Sequence, residues 1–284
     1  MSPAAPAADE SVRHGLGACT SVFGHRDALS AGKLRELAAT GIAWVEVAAL
    51  QTQHVNLFDG KRVDELVAAV EGLPLGVWSL HAPFCGLAMD DAGTRADGLR
   101  KLRQAVAVAR RFGATAVVVH PGRDVPSVDR RRELSWMREG LERAAADLPP
   151  GMVLAVETMG ARSLAGPAEE MLEVVGELPA DRVGICLDTG HVNQGGDPAA
   201  YAAAVAGRIV SVHLHDNAGD RDAHALPGEG NIDWPACLDA IRRAGYRGPW
   251  MCEAGIESSN LSAAETVGEF VRRMAAYLSQ SSGV

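Results

Sequence analysis

Residues 183–188 read Val-Gly-Ile-Cys-Leu-Asp, a short apolar run that stops abruptly on a carboxylate. Successive side chains of a strand face opposite ways, so a run apolar at both parities is buried on both faces. That is the signature of a parallel sheet covered by helices. Working outward, similar runs recur along the chain. The predicted strands are Leu16–Cys19, Trp44–Val47, Gly76–Leu80, Ala116–Val119, Val153–Val156, Val183–Leu187, Ile209–Leu214 and Pro249–Cys252. Between them lie stretches with helical spacing, such as Leu99, Leu102, Val106 and Ala109. Further helical segments are expected near Leu34–Ala39, Val63–Val70, Leu134–Ala146, Ala168–Val175, Ala199–Val205, Ala236–Ala244 and Val267–Leu278. Gly41, Gly72, Gly113, Gly207 and Gly245 each precede a strand, where a left-handed residue closes a helix.

Eight βα units over about 265 residues predict an α/β protein, a closed (β/α)8 TIM barrel. A doubly wound sheet would place a glycine fingerprint after its first strand, and Gly15-Leu-Gly-Ala-Cys-Thr-Ser-Val-Phe-Gly24 does not open a helix in that way. No composition shift marks a second domain. Residues 14–284 are therefore expected to form one barrel domain behind a disordered Ala/Pro-rich leader, residues 1–13.

The bulk composition is that of an ordinary globular protein: 284 residues, 47% hydrophobic and 22% charged. A formal net charge of -9 disfavours loose binding to polyanions. The five cysteines (Cys19, Cys85, Cys186, Cys237, Cys252) are scattered singly, which fits reduced thiols and a cytoplasmic setting. No apolar run approaches the roughly 20 residues needed to span a bilayer. Neither a membrane nor nucleic acid is an expected partner, and homo-oligomerisation is compatible with the sequence.

Most strands end on an acid or an imidazole. His81 closes the third and His120 the fourth. Glu157 follows the fifth, Asp188 and His191 the sixth, His213, His215 and Asp216 the seventh, and Glu253 the eighth. In barrels this face carries the chemistry. Each group follows buried aliphatics, where a lone charge would cost several kcal/mol unless paired or metal-bound. Carboxylates converging on one pocket repel one another, and a divalent cation with mixed N/O ligation (Zn, Mn, Co, Mg or Fe) relieves that. Glu46 on the second strand follows the inward alternation and is expected to contact substrate. His14, His25 and His54 read as loop residues, and the tryptophans as packing. In the loop after strand seven, Asp222-x-His224 has spacing suited to one metal ion. Gly228 and Gly230 there could bring backbone amides to a phosphate.

The runs VETMG, CLDTGHVN, VHLHDNAGDRDAHALPGEGNIDW and AGYRGPWMCEAG resemble the xylose-isomerase-like superfamily of sugar phosphate isomerases and epimerases over roughly residues 15 to 278. The resemblance implies one divalent metal on Glu157, Asp188, His213 and Glu253. The spacing of the strand-seven motif selects His213 over His215. Glu157 and Glu253 would then be the catalytic acid/base pair, acting through an enediolate on a small sugar, polyol or sugar phosphate. His81, His191 and Glu46 would orient hydroxyls. The endonuclease-IV-like branch holds three zinc ions, and its additional ligand positions match His81, His120, His191, Asp222 and His224. The alternative implied is therefore a zinc phosphodiesterase acting at abasic DNA sites. The acidic loop after strand three, Phe84 to Gly93, favours the isomerase branch, since a DNA-facing loop should be neutral or basic.

Overall fold

The computed structural model describes residues 15–122, 129–256 and 260–281, and the leader expected over residues 1–13 lies outside them. Eight parallel strands close on themselves in sequence order. β1 (Leu16–Cys19) pairs with both β2 (Trp44–Ala48) and β8 (Trp250–Cys252). β3 (Gly76–His81), β4 (Ala116–Val119), β5 (Val153–Glu157), β6 (Val183–Asp188) and β7 (Ile209–Leu214) complete the circle. The expected (β/α)8 barrel is the observed fold.

Nine α-helices are found among the described residues. They are α1 (Ala31–Ala39), α2 (Gly60–Glu71), α3 (Ala92–Arg111), α4 (Arg130–Ala145), α5 (Ala168–Val175), α6 (Thr189–Asn193), α7 (Pro198–Ala204), α8 (Trp234–Arg243) and α9 (Ala263–Ser281). Several begin a turn earlier than the apolar periodicity implies. Their starts are set by side-chain caps: Ser30, Asp59, Asp91, Asp129 and Asp233 each accept a first-turn N–H, worth about 1 kcal/mol apiece. The buried stripe of α2 begins only at Val63, where the helix first meets its neighbours. Gly41, Gly113, Gly207 and Gly245 take the expected positive φ, whereas Gly72 sits at φ -85° and closes α2 without it.

Inside the barrel, Val118, Ala155 and Cys186 are wholly buried and form a small cluster with Val210, separate from the larger core under the helices. Alternation then carries the next inward position of β5 and β6 to Glu157 and Asp188 at the strand ends. Met251 reaches the same interior over Gly17, whose missing Cβ would lie 2.4 Å from the Met251 sulfur. An irregularity between Val45 and Glu46 sets Glu46 opposite Ser79 instead of Trp78. It places a hydroxyl beside a buried carboxylate.

Candidate metal centre

All eleven residues singled out at the strand ends and in the β7–α8 loop converge on the C-terminal mouth of the barrel. Their donors fall into overlapping sets, each with one ligand atom per residue and those atoms all within 4.8 Å of one another. One set is Glu157, Asp188, His213 and Glu253. A second is His81, His120 and Glu157, and a third is His191, Asp222 and His224. Glu157 is shared. Its Oε2 lies 2.9 Å from Nε2 of both His81 and His120, while its Oε1 lies 3.5 Å from His213 Nδ1.

Short-range chain chemistry places these groups. Asp188 ends β6 and caps α6, accepting the His191 N–H at 2.7 Å, so the Asp-x-x-His spacing is one helical turn. Thr158 Oγ1 accepts the Asp188 N–H, and Thr189 donates to the His215 carbonyl. Gly190 is needed here, because a Cβ would fall 1.9 Å from His215 Cε1. His215 reaches Asp188 through Nε2 at 3.0 Å and stacks on His224 with ring centroids 4.0 Å apart. Glu46 is 0% exposed, turned to His213 Nε2 and Ser79, and joins His81, His213 and Glu253 in a further donor set.

The electrostatics explain why such a cluster tolerates burial. Two like charges 4 Å apart repel by about 4 kcal/mol at an effective dielectric of 20. In the metal-free protein, protons supply the counter-charge. Burial disfavours the charged forms, but the charges and hydrogen bonds of His120 and His81 hold Glu157 well below the usual carboxylate range. Burial likewise opposes ionisation of Glu46, and His213 nonetheless brings it down to about 2. His224 resists its own burial through Asp222 and Glu253 and rises to about 9. His81 and His191 are also raised against burial by their carboxylate neighbours, and His213 by Cys186, Glu253 and Glu46.

The fit to a cation is seen in the orphaned atoms. His213 Nδ1 and Glu253 Oε2 are buried without a hydrogen-bond partner although only 3.0 Å apart. Histidine nitrogens with carboxylate oxygens are the donors that Zn, Mn, Co and Fe share. An ion must displace the histidine protons. Zinc affinity at the His191–Asp222–His224 set is therefore expected to rise up to about tenfold per pH unit for each proton displaced, the His224 contribution levelling above about 9. Chelator-competition titrations from pH 6 to 9.5 measure this. The same pairing stabilises the metal-free fold fully below the unfolded histidine value of about 6.5, and that contribution fades as pH rises through 9.

Several groups at the mouth have roles that the sequence did not reveal. Asp216 is wholly buried, and its carboxylate accepts N–H groups from Asn217, Gly228, Ile232 and the Trp234 indole. It clasps the loop that carries Asp222 and His224. The Gly228 amide thus faces a carboxylate, and a Cβ on Gly230 would lie 2.0 Å from the Asn217 carbonyl oxygen, so these glycines shape the clasp and not a phosphate cradle. Trp234 is more than packing for the same reason. His54 is 2% exposed and ties the loops after β1 and β2 through the Asp27 carbonyl and Thr20. His25 borders a cavity of about 140 Å3 with Asp222, His224 and Glu253, and His14 lies outside the described residues. On the opposite flank, Phe84 stacks on His120 at 4.3 Å and stays 45% exposed beside a cavity of about 120 Å3. All five cysteines are free and buried. Among the described residues no helix is long and apolar enough to cross a membrane.

Fold and site together define a (β/α)8 barrel with a ring of acids and imidazoles at its C-terminal mouth. The chain belongs to the xylose isomerase-like TIM barrel family, whose model matches residues 34–274. Sequence relatives include an uncharacterized protein of Methanocaldococcus jannaschii, 32% identical over 185 residues, covering 60% of this chain and 61% of that protein. A "Probable endonuclease 4" of Mycobacterium tuberculosis is 29% identical over 195 residues, 66% of this chain and 75% of that one. Among solved structures, a D-tagatose 3-epimerase-like protein superposes with TM-score 0.80 at 24% identity, covering 94% of this chain and 98% of its own. The IOLI protein with a binding zinc atom also reaches 0.80, at 18% identity over 95% of this chain and 100% of that one.

Proposed function

We propose that this chain is a divalent-metal-dependent isomerase or epimerase of a small polyhydroxylated carbonyl compound, a sugar, polyol derivative or sugar phosphate. The observation that carries the reading is the placement of Glu157 and Glu253 in one donor set, each with an oxygen within 3.5 Å of His213 Nδ1. Glu157, Asp188, His213 and Glu253 would hold the ion, which when bound polarises adjacent carbonyl and hydroxyl oxygens and acidifies the carbon-bound proton between them.

The two glutamates are not equivalent. Glu157 is 1% exposed and hydrogen-bonded or ion-paired to several histidines, from which it can draw a proton. Glu253 is 6% exposed and borders the cavity beside Asp222 and His224. It is the better placed to take a proton from a substrate carbon, with Glu157 on the other side returning one. His191, beside Glu157 and Asp222, is placed to orient a hydroxyl. Solvent exchange tests the reading: the zinc- or manganese-loaded protein is incubated in D2O with a panel of ketoses, aldoses and their phosphates. Deuterium is expected on the carbon next to the carbonyl of at least one compound, and no incorporation from any would count against the assignment.

A second reading has its own observation. Three neighbouring donor sets, two of them sharing Glu157, together with the similarity to an endonuclease 4, favour a multinuclear phosphodiesterase. Against duplex DNA stand the net charge of -9 and exposed rim acids such as Asp27, Asp90 and Asp220. Incision of a duplex containing one abasic site decides between the two.

A further inference from the structure

Glu46 lies outside the set of Glu157, Asp188, His213 and Glu253 but shares a second set with His81, His213 and Glu253, and it is enclosed against the far side of the His213 ring. Glu46 and His213 are both 0% exposed. Glu46 Oε1 lies 3.0 Å and Oε2 3.1 Å from His213 Nε2, and Ser79 Oγ donates to Oε2 at 2.6 Å. The other ring nitrogen faces the opposite way. His213 Nδ1 lies 3.0 Å from Glu253 Oε2, 3.5 Å from Glu157 Oε1 and 3.8 Å from Asp188 Oδ2. A carboxylate only accepts, so Nε2 must carry a proton to satisfy Glu46. A neutral imidazole with its proton on Nε2 presents a bare lone pair on Nδ1. That lone pair would face three carboxylates.

We propose that Glu46 is a positioning residue for the metal centre, fixing the His213 ring and its tautomer so that Nδ1 is the nitrogen offered to the ion. The β2–β3 irregularity serves this arrangement, since it brings Ser79 opposite Glu46 and holds the carboxylate from behind. A carboxylate behind a ligating imidazole increases its basicity and locks its orientation, and losing one costs metal affinity about 10- to 100-fold. The inference rests on the metal-centre reading and not on the reaction, so it holds for an isomerase and a phosphodiesterase alike.

Zinc affinity and stoichiometry by chelator competition, on wild type, Glu46→Gln and Glu46→Asp, test it. Glu46→Gln is expected to bind zinc roughly 10- to 100-fold more weakly with the same number of ions per chain, and Glu46→Asp to recover part of the loss. Melting of the metal-free proteins separates this from a folding defect. On the wild type, long-range 1H–15N correlation of the zinc-loaded protein is expected to show His213 protonated on Nε2 and metal-bearing on Nδ1. Unchanged affinity in Glu46→Gln, loss of one whole zinc equivalent, or zinc on Nε2 would each overturn the proposal while leaving the centre standing. A wild type that takes up no zinc would remove both.

Discussion

Glu253→Gln is expected to lower deuterium exchange at the substrate carbon by roughly 10³-fold, within the range that a positioned acid or base supplies, while leaving the fold intact. The amide keeps the shape of the side chain and one oxygen able to act as a donor to the ion. It cannot take up a proton. Glu253 is 6% exposed at the end of β8, so the change opens no cavity. Assayed at saturating zinc, to offset the weaker amide ligand, the variant should melt near wild type, and the loss should fall on kcat more than on KM. Full exchange activity in this variant would remove Glu253 from the proton-transfer role, whatever the substrate proves to be.

The second large effect is expected at Glu157→Ala. This side chain belongs to two donor sets, with one oxygen on the His81 and His120 side and the other toward His191 and His213. Its loss leaves His81 and His120, with ring centroids 4.7 Å apart, sharing a buried pocket without their counter-charge. Breaking a buried pair by removing one partner costs about 3–5 kcal/mol. The metal-free variant should therefore unfold at clearly lower denaturant, and zinc retained after dialysis should drop in both sets together. If one set kept its zinc at full affinity, the bridging role of Glu157 would be wrong.

The barrel was legible because its strands are apolar at both parities. Val183–Leu187 and Ala116–Val119 have no polar face to offer water, and only a helix-covered parallel sheet accommodates that. The mouth was legible because Glu157, Asp188 and Glu253 each interrupt such a run at its end. What stayed hidden depends on closure. Glu46 and His213 stand 167 positions apart and meet only across the barrel interior, so nothing in the local sequence reveals that Glu46 faces a histidine. Asp216 stands in the sequence directly after His215, and only the return of the loop through Gly228, Ile232 and Trp234 makes it a clasp. A signal was available there: an acid buried among glycines and an indole finds N–H donors more readily than cations. The early helix starts had a signal too, since Asp59, Asp91, Asp129 and Asp233 each stand one residue before the first turn.

Metal at the strand ends is the claim on which the rest depends. Anomalous difference maps from crystals grown with manganese or zinc test it most directly. The expected result is a peak enclosed by Glu157, Asp188, His213 and Glu253. Additional peaks beside His81 and His120, or beside Asp222 and His224, would shift the balance toward phosphodiester chemistry. A metal-replete crystal with no peak among those four residues would contradict the account.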